Sequence, residues 1–424
     1  MRSDDLETIR EKTLVTHHSP PRSPLRPWLG VAAITASLFV FLTTELMPVG
    51  LLTPLSASLH VSVGLAGLMV TLYGISAGLG VPFIAAWTRR VDRRLLLSVL
   101  LVILTLGNLI TALSPNYPLV LATRLAMGFA NGVFWAIGVS MAMRLVPQRH
   151  AARAAAVVMS GISIAAVAGI PLGTYLESST DWRTTFLIWS GLSALVCCAV
   201  AVTIPSLPSD NAVPVREVFG LPLKNVRLRM VLITVILFVL GHFGAYTFVR
   251  PFLEHHASAT SGFVTVVLMI YGLGGAIGNF IAGYTVNKSL RGSFIVGCAG
   301  LVTSLLWLLA VGDGPTGAII ALVLWGLSFG AVQLCQVNMT QAAAPETFEA
   351  AMSLNTMAYN TSIAIGALVG GLFADHLSVT SVVWFAVALT AASLLLTLGT
   401  GRNAAAPVPG EASAAVEQAT PPSR

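Results

Sequence analysis

The sequence predicts an all-α membrane protein with twelve transmembrane helices in two pseudo-symmetric six-helix halves. Three observations carry this prediction: an apolar composition, twelve long apolar windows and an internal repeat. Of the 424 residues, 55% are hydrophobic and only 9% are charged, whereas a soluble domain carries about 25% charged residues. A chain of this composition cannot cover its surface in water, so we expect it to be embedded in lipid.

The apolar windows are each long enough to cross about 30 Å of hydrocarbon as a helix. They are centred near residues 40, 74, 104, 131, 165, 194, 241, 273, 302, 328, 361 and 389. We therefore expect a cytoplasmic N-terminal segment 1–27, a six-helix bundle 28–204, a cytoplasmic linker 205–228, a second bundle 229–400 and a tail 401–424. The N-terminal segment lacks the apolar core of a signal peptide, and the tail has the composition of a disordered segment.

The basic residues are distributed unevenly between the two sides of the predicted membrane. Twenty of the 23 lysines and arginines lie before span 1, after spans 2, 4, 6 and 8, or in the tail. Arg183 and Arg250 lie on the other side, and Arg124 lies within span 4. The positive-inside rule therefore predicts that both termini are cytoplasmic. The net charge of +6 reflects this topology, and no nucleic-acid partner is expected.

An internal repeat relates the two halves at an offset of 198 residues. This offset places Tyr73 on Tyr271, Gly74 on Gly272, Gly80 on Gly278, Gly128 on Gly326, Gly132 on Gly330 and Pro147 on Pro345. Spans 5 and 11 match at an offset of 199. The small residues allow helices to approach closely. The repeat predicts two parallel halves around a central cavity, which is the architecture of many secondary transporters.

Glu45 is the only acidic residue in the interior of a predicted span. By helix rise, Glu45 lies roughly 24 Å above the inner face and Arg124 lies roughly 10 Å below the outer surface. A lone charge is costly at that depth. One interpretation is a structural ion pair between spans 1 and 4. The other is that Glu45 takes up and releases a proton as its pairing with Arg124 changes.

His242 is the alternative proton carrier, because it lies near the middle of span 7 and histidine titrates near neutral pH. A hydrogen-bonded, permanently neutral His242 is an equal alternative. The proton-coupling prediction therefore names Glu45, Arg124 and His242, and the sequence leaves the carrier open. Further along the same span, Arg250 and Glu254 are expected at the outer surface in an interfacial role.

Large polar and aromatic residues in the spans are the candidates for binding a solute. Amides and aromatic rings suit a neutral ligand, hydroxyl-rich or aromatic, better than an ion, although hydrogen bonding between helices would also explain them. The predicted substrate-binding residues are Asn131, Trp135, His242, Tyr246, Gln333 and Asn360.

Enzymatic and metal-dependent functions find no support in the sequence. The four cysteines lie in predicted spans without ligand-like spacing to histidine. The paired histidines lack zinc-site spacing, and no phosphate-binding G-x-x-x-x-G-K-[ST] loop is present. We expect no catalytic residues, no metal and no cofactor. The expected partners are a small-molecule substrate, protons and membrane lipid, with the protein as a monomer.

The loop after span 2 reads AAWTRRVDRRLLL and resembles the cytoplasmic loop signature of major facilitator transporters. The basic residues of that signature match Arg90, Arg93 and Arg94. Arg89 stands where the signature has its acid, and Asp92 replaces a glycine. In the family that acid latches the two halves on the cytoplasmic side, and Asp92 is the residue available for this role here.

Two motifs within the spans resemble the same family. Arg124 and Gly128 match its span-4 signature R-x-x-x-G, whose arginine is linked to proton transfer. Gly169, Pro171 and Gly173 resemble the antiporter element G-P-x-x-G of span 5, which bends the helix and seals the halves. Here one residue is inserted between the first glycine and the proline.

The segments TTELMPVGLL, DWRTTF and AYTFVRPF, together with these motifs, are similar to bacterial sugar efflux and arabinose efflux permeases. These belong to the twelve-span drug:proton antiporters. The resemblance covers about residues 28–400 and implies the major facilitator fold in a bacterial inner membrane. It also implies proton-coupled export of a small neutral solute, a sugar or sugar derivative, by alternating access. A multidrug, antibiotic or nucleoside exporter of the same mechanism is the alternative.

Overall fold

A computed structural model of the chain describes residues 25–87, 91–208, 215–312 and 314–399. Within these ranges twelve helices are long and apolar enough to cross a membrane, and the described residues form helices without β-strands. The predicted all-α class and twelve spans are therefore confirmed. The tail 401–424 and most of the N-terminal segment 1–27 lie outside the described residues.

The twelve helices, named α1 to α12, alternate in direction between two ends of the molecule. Several are divided: α2 follows a single turn Val63–Ala66, α5 has three parts and α7 has two. A further helix, Val215–Lys224, lies in the linker. The bounds are α1 Leu25–Leu59, α2 Leu68–Trp87, α3 Arg93–Leu113, α4 Tyr117–Leu145, α5 Ala151–Ile164 with Ala165–Gly169 and Ile170–Ser179, α6 Trp182–Thr203, α7 Val226–Thr247 with Val249–His256, α8 Ser261–Thr285, α9 Leu290–Val311, α10 Pro315–Ala343, α11 Phe348–His376 and α12 Val379–Gly399.

Polar side chains at the helix starts explain where many of the spans begin. The first N–H groups of a helix have no partner within it, and a side-chain oxygen that accepts from them stabilises the end. The residues that act in this way are Asp92 for α3, Asn116 for α4, Asp181 for α6, Asn225 for α7, Thr260 for α8 and Ser289 for α9.

Helix α5 changes its winding in the middle of the membrane. Its segment Ala165–Gly169 is a π-helix, directly before the turn that contains Pro171. Proline lacks the N–H for an ordinary helical hydrogen bond and clashes with the preceding turn. The wider π turn accommodates this, and such turns are frequent at functional sites. The sequence predicts the bend but not its π-helical form.

The internal repeat is visible in how glycines pack. A side chain at Gly128 would overlap the carbonyl oxygen of Tyr73, and one at Gly326 would overlap that of Tyr271. Both contacts are related by the offset of 198 residues. Helices α2 and α4 therefore approach each other in the first half as α8 and α10 do in the second.

The two groups of six helices meet mainly through α2 against α11 and α5 against α8. The distal end of the molecule is the end where α1 finishes and α12 begins. Helix α1 also reaches the second segment of α7 there. The central cavity lies between the halves.

Candidate substrate and proton site

The central cavity has a volume of about 80 Å³. Most of its wall comes from the second half, and no residue of the wall carries a charge. The first half contributes Leu46, Ile162 and Ile170, and the second half contributes His242, Phe243, Tyr246, Tyr271, Gly272, Gly275, Ala276, Asn279, Phe329, Gly330 and Gln333. A wall of this kind suits a neutral solute with apolar or aromatic faces.

His242 lies at the centre of a group of rings in this wall, 1% exposed. The Phe329 ring stacks on the imidazole with centroids 3.7 Å apart, and Tyr246 stacks at 5.4 Å. Trp325 donates its indole N–H to Nδ1 of His242 at 3.0 Å. The Tyr271 hydroxyl lies 3.2 Å from Nε2. Both ring nitrogens therefore have a partner, and we call these five residues the aromatic box.

Three polar side chains of the cavity wall have unused hydrogen-bonding capacity. They are the hydroxyl of Tyr246 and the amides of Asn279 and Gln333, which make no side-chain hydrogen bond among the described residues. Neutral groups of this kind orient a solute without requiring it to be charged. Asn279 was not among the sequence-based candidates. The sequence feature that could have identified Asn279 is its amide, which follows the glycine-rich stretch of α8.

Glu45 lies in α1 beside the cavity wall and is 5% exposed. Its carboxyl oxygen Oε2 accepts a hydrogen bond from the amide of Asn131 at 3.0 Å. Arg124 instead donates Nη1–H to the carbonyl oxygen of Thr44 at 2.8 Å. The arginine therefore lies at the level of Glu45, as the residue count along the helices predicts. The two do not form an ion pair among the described residues in this conformation.

Hydrogen bonding around Glu45 is incomplete. Nε and Nη2 of Arg124, Oδ1 of Asn131 and Oδ1 of Asn108 are buried without a partner among the described residues. Arg124 packs against the Phe186 ring at 5.0 Å. A buried donor without a partner costs about 1–3 kcal/mol, more when it is charged. The guanidinium is therefore poised to gain from an acceptor that comes within reach.

Glu45 also lies within electrostatic range of two tyrosines. Tyr73 interacts with both Glu45 and Arg124, so its ring lies near both groups of the first half. Tyr359, on α11 of the second half, also lies within electrostatic range of Glu45.

Arg250 joins the two halves at the distal end. It is 3% exposed and donates to Glu177 Oε2 at 2.8 Å, to Glu254 Oε1 at 2.7 Å and to the carbonyl oxygen of Gly50 at 2.6 Å. Thr53 donates to the other oxygen of Glu254 at 2.5 Å. Arg250 and Glu254 were expected at the outer surface in an interfacial role; the structure shows that helices α1, α5 and α7 enclose the Arg250 side chain. We call Thr53, Glu177, Arg250 and Glu254 the distal lock.

A second set of hydrogen bonds crosses between the halves at the same end. Asp375, at the end of α11, accepts from the Ser62 hydroxyl at 2.5 Å and from the Gly64 N–H at 2.8 Å. Thr265 of α8 donates to Thr174 of α5 at 2.9 Å. Together with the distal lock, these contacts hold the halves together at the distal end.

A sequence profile of the Major Facilitator Superfamily matches residues 32–350. The chain belongs to this superfamily. Facilitators are transporters of small molecules, so this protein is an integral, multi-pass membrane transporter.

Solved structures agree with this fold. One is a D-xylose–proton symporter, at a TM-score of 0.72 and 15% identity, covering 90% of this chain and 99% of that one. Another is a nucleoside transporter, at a TM-score of 0.71 and 12% identity, covering 86% of this chain and 98% of that one. A third is a bacterial homologue of the human lysosomal transporter Spinster, in an inward-facing and unoccupied conformation. It has a TM-score of 0.69 and 14% identity, covering 91% of this chain and 100% of that one. At these identities the likeness shows the fold alone.

The facilitator loop signature between α2 and α3 has a local role in this conformation. Asp92 accepts from the backbone N–H groups of Arg94 and Leu95 and from the Ser206 hydroxyl at 2.6 Å. Burial raises the pKa of this carboxyl, but these hydrogen bonds outweigh it and hold the pKa below its usual range. Arg94 and Leu95 belong to α3, Ser206 lies three residues after the end of α6, and none of the three belongs to the second half. Asp92 therefore ties the loop to the end of α6 and makes no latch to the second half among the described residues.

Arg93 and Arg94 of the loop signature also bond to α6 and to the residues that directly follow it. Arg94 donates to the carbonyl oxygen of Ala201, and the backbone N–H of Arg93 donates to the carbonyl oxygen of Leu207. The side chain of Arg93 is buried. Arg90 lies outside the described residues.

The span-5 motif lies where the first half contacts both α1 and the cavity. A side chain at Gly169 would overlap Thr43, and one at Gly173 would contact Met47. Ile170, between Gly169 and the buried Pro171, lines the central cavity. The motif thus allows close packing of α5 on α1 and supplies part of the cavity wall.

Some of the predicted substrate-binding residues line the central cavity and others do not. His242, Tyr246 and Gln333 line the cavity, and Asn131 bonds to Glu45. Trp135 is half-buried and packs edge-on against the ring of the preceding residue. The Asn360 amide donates to the backbone of its own helix at 2.9 Å. The structure does not bring Trp135 or Asn360 into the cavity wall.

Proposed function

We propose that this facilitator is a proton-coupled exporter of a small neutral solute, a sugar or sugar derivative, working by alternating access. The observation that carries the proposal is the site of Glu45. A buried carboxyl has a neutral amide as its partner, while Arg124 beside it has two unpaired N–H groups. Such an arrangement has two states, one for each protonation state of the carboxyl.

In the first state, Glu45 is protonated and keeps the hydrogen bond from Asn131 that is present in the structure. In the second, the carboxylate moves towards the unpaired N–H groups of Arg124, since an ion pair compensates for the cost of a buried charge. Tyr359 of the second half lies within range of the same carboxyl. We infer that loss of the proton changes the electrostatic interaction between Glu45 and the second half, which would supply the coupling that an antiporter needs.

The distribution of basic residues supports cytoplasmic termini in a bacterial inner membrane. In that orientation the distal lock lies on the outer side. Its contacts support a conformation in which the outer entrance is closed. Export would then require the contacts of Arg250 with Glu177 and Glu254 to break in each cycle.

The charge-free wall of the cavity supports a neutral solute. Its three free polar groups, Tyr246, Asn279 and Gln333, could meet hydroxyl groups of a sugar. The stacked rings of the aromatic box favour the second candidate, a planar antibiotic or nucleoside carried by the same mechanism. The two candidates differ in substrate and share the proton step.

The test uses purified protein in liposomes with an imposed pH gradient. Uptake of labelled arabinose, methyl glucoside, uridine and chloramphenicol is compared between the parent and Glu45→Gln. We expect gradient-driven uptake of one compound and its loss in the variant. The matched control is Glu346→Gln, the same change at an exposed acid before α11. Full gradient dependence in Glu45→Gln would contradict the proposal, and uptake without any gradient dependence would indicate a uniporter.

A further inference from the structure

We propose that Trp325, His242 and Tyr271 form a hydrogen-bond chain of fixed direction that presents the Tyr271 hydroxyl proton to the central cavity. The site would then select solutes that place an acceptor oxygen, such as an ether, carbonyl or hydroxyl oxygen, against Tyr271. Only the identification of the cavity as the solute site rests on the proposed function. The direction of the chain follows from geometry alone.

The direction is set by Trp325. An indole N–H is a donor and has no lone pair to accept with. Trp325 Nε1 lies 3.0 Å from Nδ1 of His242, so Nδ1 must be the unprotonated nitrogen. In a neutral imidazole the ring proton then belongs to Nε2.

The proton on Nε2 sets the orientation of the next hydroxyl. Nε2 lies 3.2 Å from the Tyr271 oxygen, and Nε2–H donates to that oxygen. The hydroxyl proton of Tyr271 cannot point back at a nitrogen that is itself a donor. Tyr271 lines the cavity, and its hydroxyl makes no other hydrogen bond among the described residues. Its proton is therefore available to a solute.

The surrounding rings hold the chain in this direction. Phe329 covers one face of the imidazole, nearly parallel to it at 10°, and Tyr246 stacks at 18°. A ring flip would place a carbon where Trp325 needs an acceptor, leaving a buried N–H unpaired.

An imidazolium would bring a second N–H against the indole N–H. The groups that face His242 are Phe243 and Tyr246 on its own helix, Tyr271 on α8, and Trp325 and Phe329 on α10. None of these groups is charged, so nothing in contact with the ring compensates a positive charge. His242 is thus a positioning residue for Tyr271, and the choice of proton carrier that the sequence leaves open falls to Glu45.

Tyr271 differs from the other free polar groups of the cavity in its hydrogen-bonding direction, and this difference affects which solutes are selected. The amides of Asn279 and Gln333 and the hydroxyl of Tyr246 can each donate or accept. Tyr271 has its donor direction set by His242. A solute without an acceptor there leaves a buried donor unpaired, which should lower affinity about tenfold.

The chain itself is tested by nitrogen NMR of the intact protein labelled with ¹⁵N-histidine. The chain has eight histidines, and His242→Gln identifies the signals of His242 by their loss. We expect one protonated and one unprotonated ring nitrogen, unchanged from about pH 5 to about pH 8. Trp325→Phe should release Nδ1 and allow both tautomers. An Nδ1–H tautomer or an imidazolium in the parent within this range would overturn the proposal.

Selectivity is tested with methyl glucoside, uridine and chloramphenicol, each beside analogues in which one hydroxyl is replaced by fluorine or by hydrogen. Fluorine accepts weakly and cannot donate, so a position that meets Tyr271 should tolerate fluorine better than hydrogen. We expect this preference to disappear in Tyr271→Phe, through KM more than kcat. The matched control, Tyr246→Phe, should keep it.

An unchanged preference in Tyr271→Phe would overturn the selectivity. If none of the three probes is transported, the proposed function fails for these solute classes. The NMR measurement decides the direction of the chain in either case.

Discussion

The ionisable pair of the first half, Glu45 and Arg124, is incompletely hydrogen-bonded, whereas the imidazole of His242 in the second half has a partner on both ring nitrogens. Arg124 keeps two buried N–H groups without a partner, while both nitrogens of His242 are occupied. Of the nine buried side-chain atoms without a partner among the described residues, seven lie in the first half. Unmet hydrogen bonds favour rearrangement, so we expect the first half to change its bonding during transport and the second to hold its shape.

The repeat makes this comparison an internal control. At the offset of 198 residues, Glu45 corresponds to Phe243 and Arg124 corresponds to Leu322. The second half therefore packs the same helices with apolar residues at both positions. Because the fold does not require ionisable groups there, and because such groups are costly in a membrane, we infer that function explains their presence in the first half.

The largest effect is expected from exchanging the ionisable residue of each half for glutamine. Glu45→Gln should reduce gradient-driven transport by about 100-fold or more, since it removes the group that we propose carries the proton, a change worth about 3 kcal/mol or more. His242→Gln should lower the rate and keep the gradient dependence. Transport with and without a pH gradient measures both. Loss of gradient dependence in His242→Gln, with gradient dependence kept in Glu45→Gln, would contradict the assignment of the proton step to the first half.

The next effect is expected at the distal lock. Arg250→Gln leaves Glu177 and Glu254 without their cation, and removing one partner of a buried pair is strongly destabilising for the closed arrangement. We expect the halves to separate at the distal end. In a cysteine-free background carrying Leu46→Cys, an impermeant maleimide added from the outside should react about tenfold faster, corresponding to a shift of about 1.4 kcal/mol.

Arg183→Gln is the matched control for Arg250→Gln. Arg183 is the other basic residue on the distal side, but it donates to the carbonyl oxygens of Ala112 and Ser114 within the first half. Labelling at residue 46 should stay at the parent rate in this variant. Equal acceleration in both variants would mean that lost helix packing, and not the lock, controls the entrance.

A smaller effect, equal in the two halves, is expected on the free energy of unfolding when a closely packed glycine is replaced by alanine. A side chain at Gly132 would overlap the backbone of Ala77, and one at Gly330 would overlap that of Gly275. Alanine at either position should lower the free energy of unfolding by about 1–3 kcal/mol, the usual cost of overpacking. Thermal unfolding in detergent measures this. Gly191→Ala, where the structure has open space, should be neutral or stabilising, and a marked difference between the two halves would contradict equal packing.

The smallest effect is the pH dependence of stability that comes from Asp92, which lies in a loop outside the membrane-spanning helices. Hydrogen bonds lower the pKa of Asp92 in the folded protein, so its ionised form contributes stability above the ordinary pKa of aspartate. This contribution is lost as the pH falls through the lowered pKa. Asp92→Asn keeps the helix cap, so it should be slightly less stable at neutral pH. The difference should shrink below about pH 4 and vanish once the pH is below the lowered pKa of the folded protein. A difference that grows in acid would contradict the assignment.

Sequence reasoning selected the buried residues of the site better than it selected their partners. Glu45 and His242 are both buried, because an ionisable residue inside an apolar window has few other places to lie. The partner expected for Glu45 was Arg124, yet Asn131, two helical turns further along α4, makes the bond. Depth along a helix follows from counting residues, whereas the side chain that makes the bond depends on helix rotation and tilt and on the reach of each side chain.

The distal lock escaped prediction for a related reason. Arg250 and Glu177 lie 73 positions apart, on helices that belong to different halves. The available signal was that Arg250 and Arg183 were the exceptions to the positive-inside distribution. A basic residue on the minority side of a membrane protein needs a local partner, and both arginines have one.

The sequence alone determined the twelve spans, the repeat and the superfamily, because the length of an apolar segment and the spacing of glycines act locally and read directly along the chain. Tertiary structure decided which polar groups meet. The bond of Glu45 to Asn131, the two bonds of His242 and the closure by Arg250 all join helices that are distant in sequence. Their energies depend on distances that change with small rotations of a helix, and only the packing of all twelve helices sets those rotations.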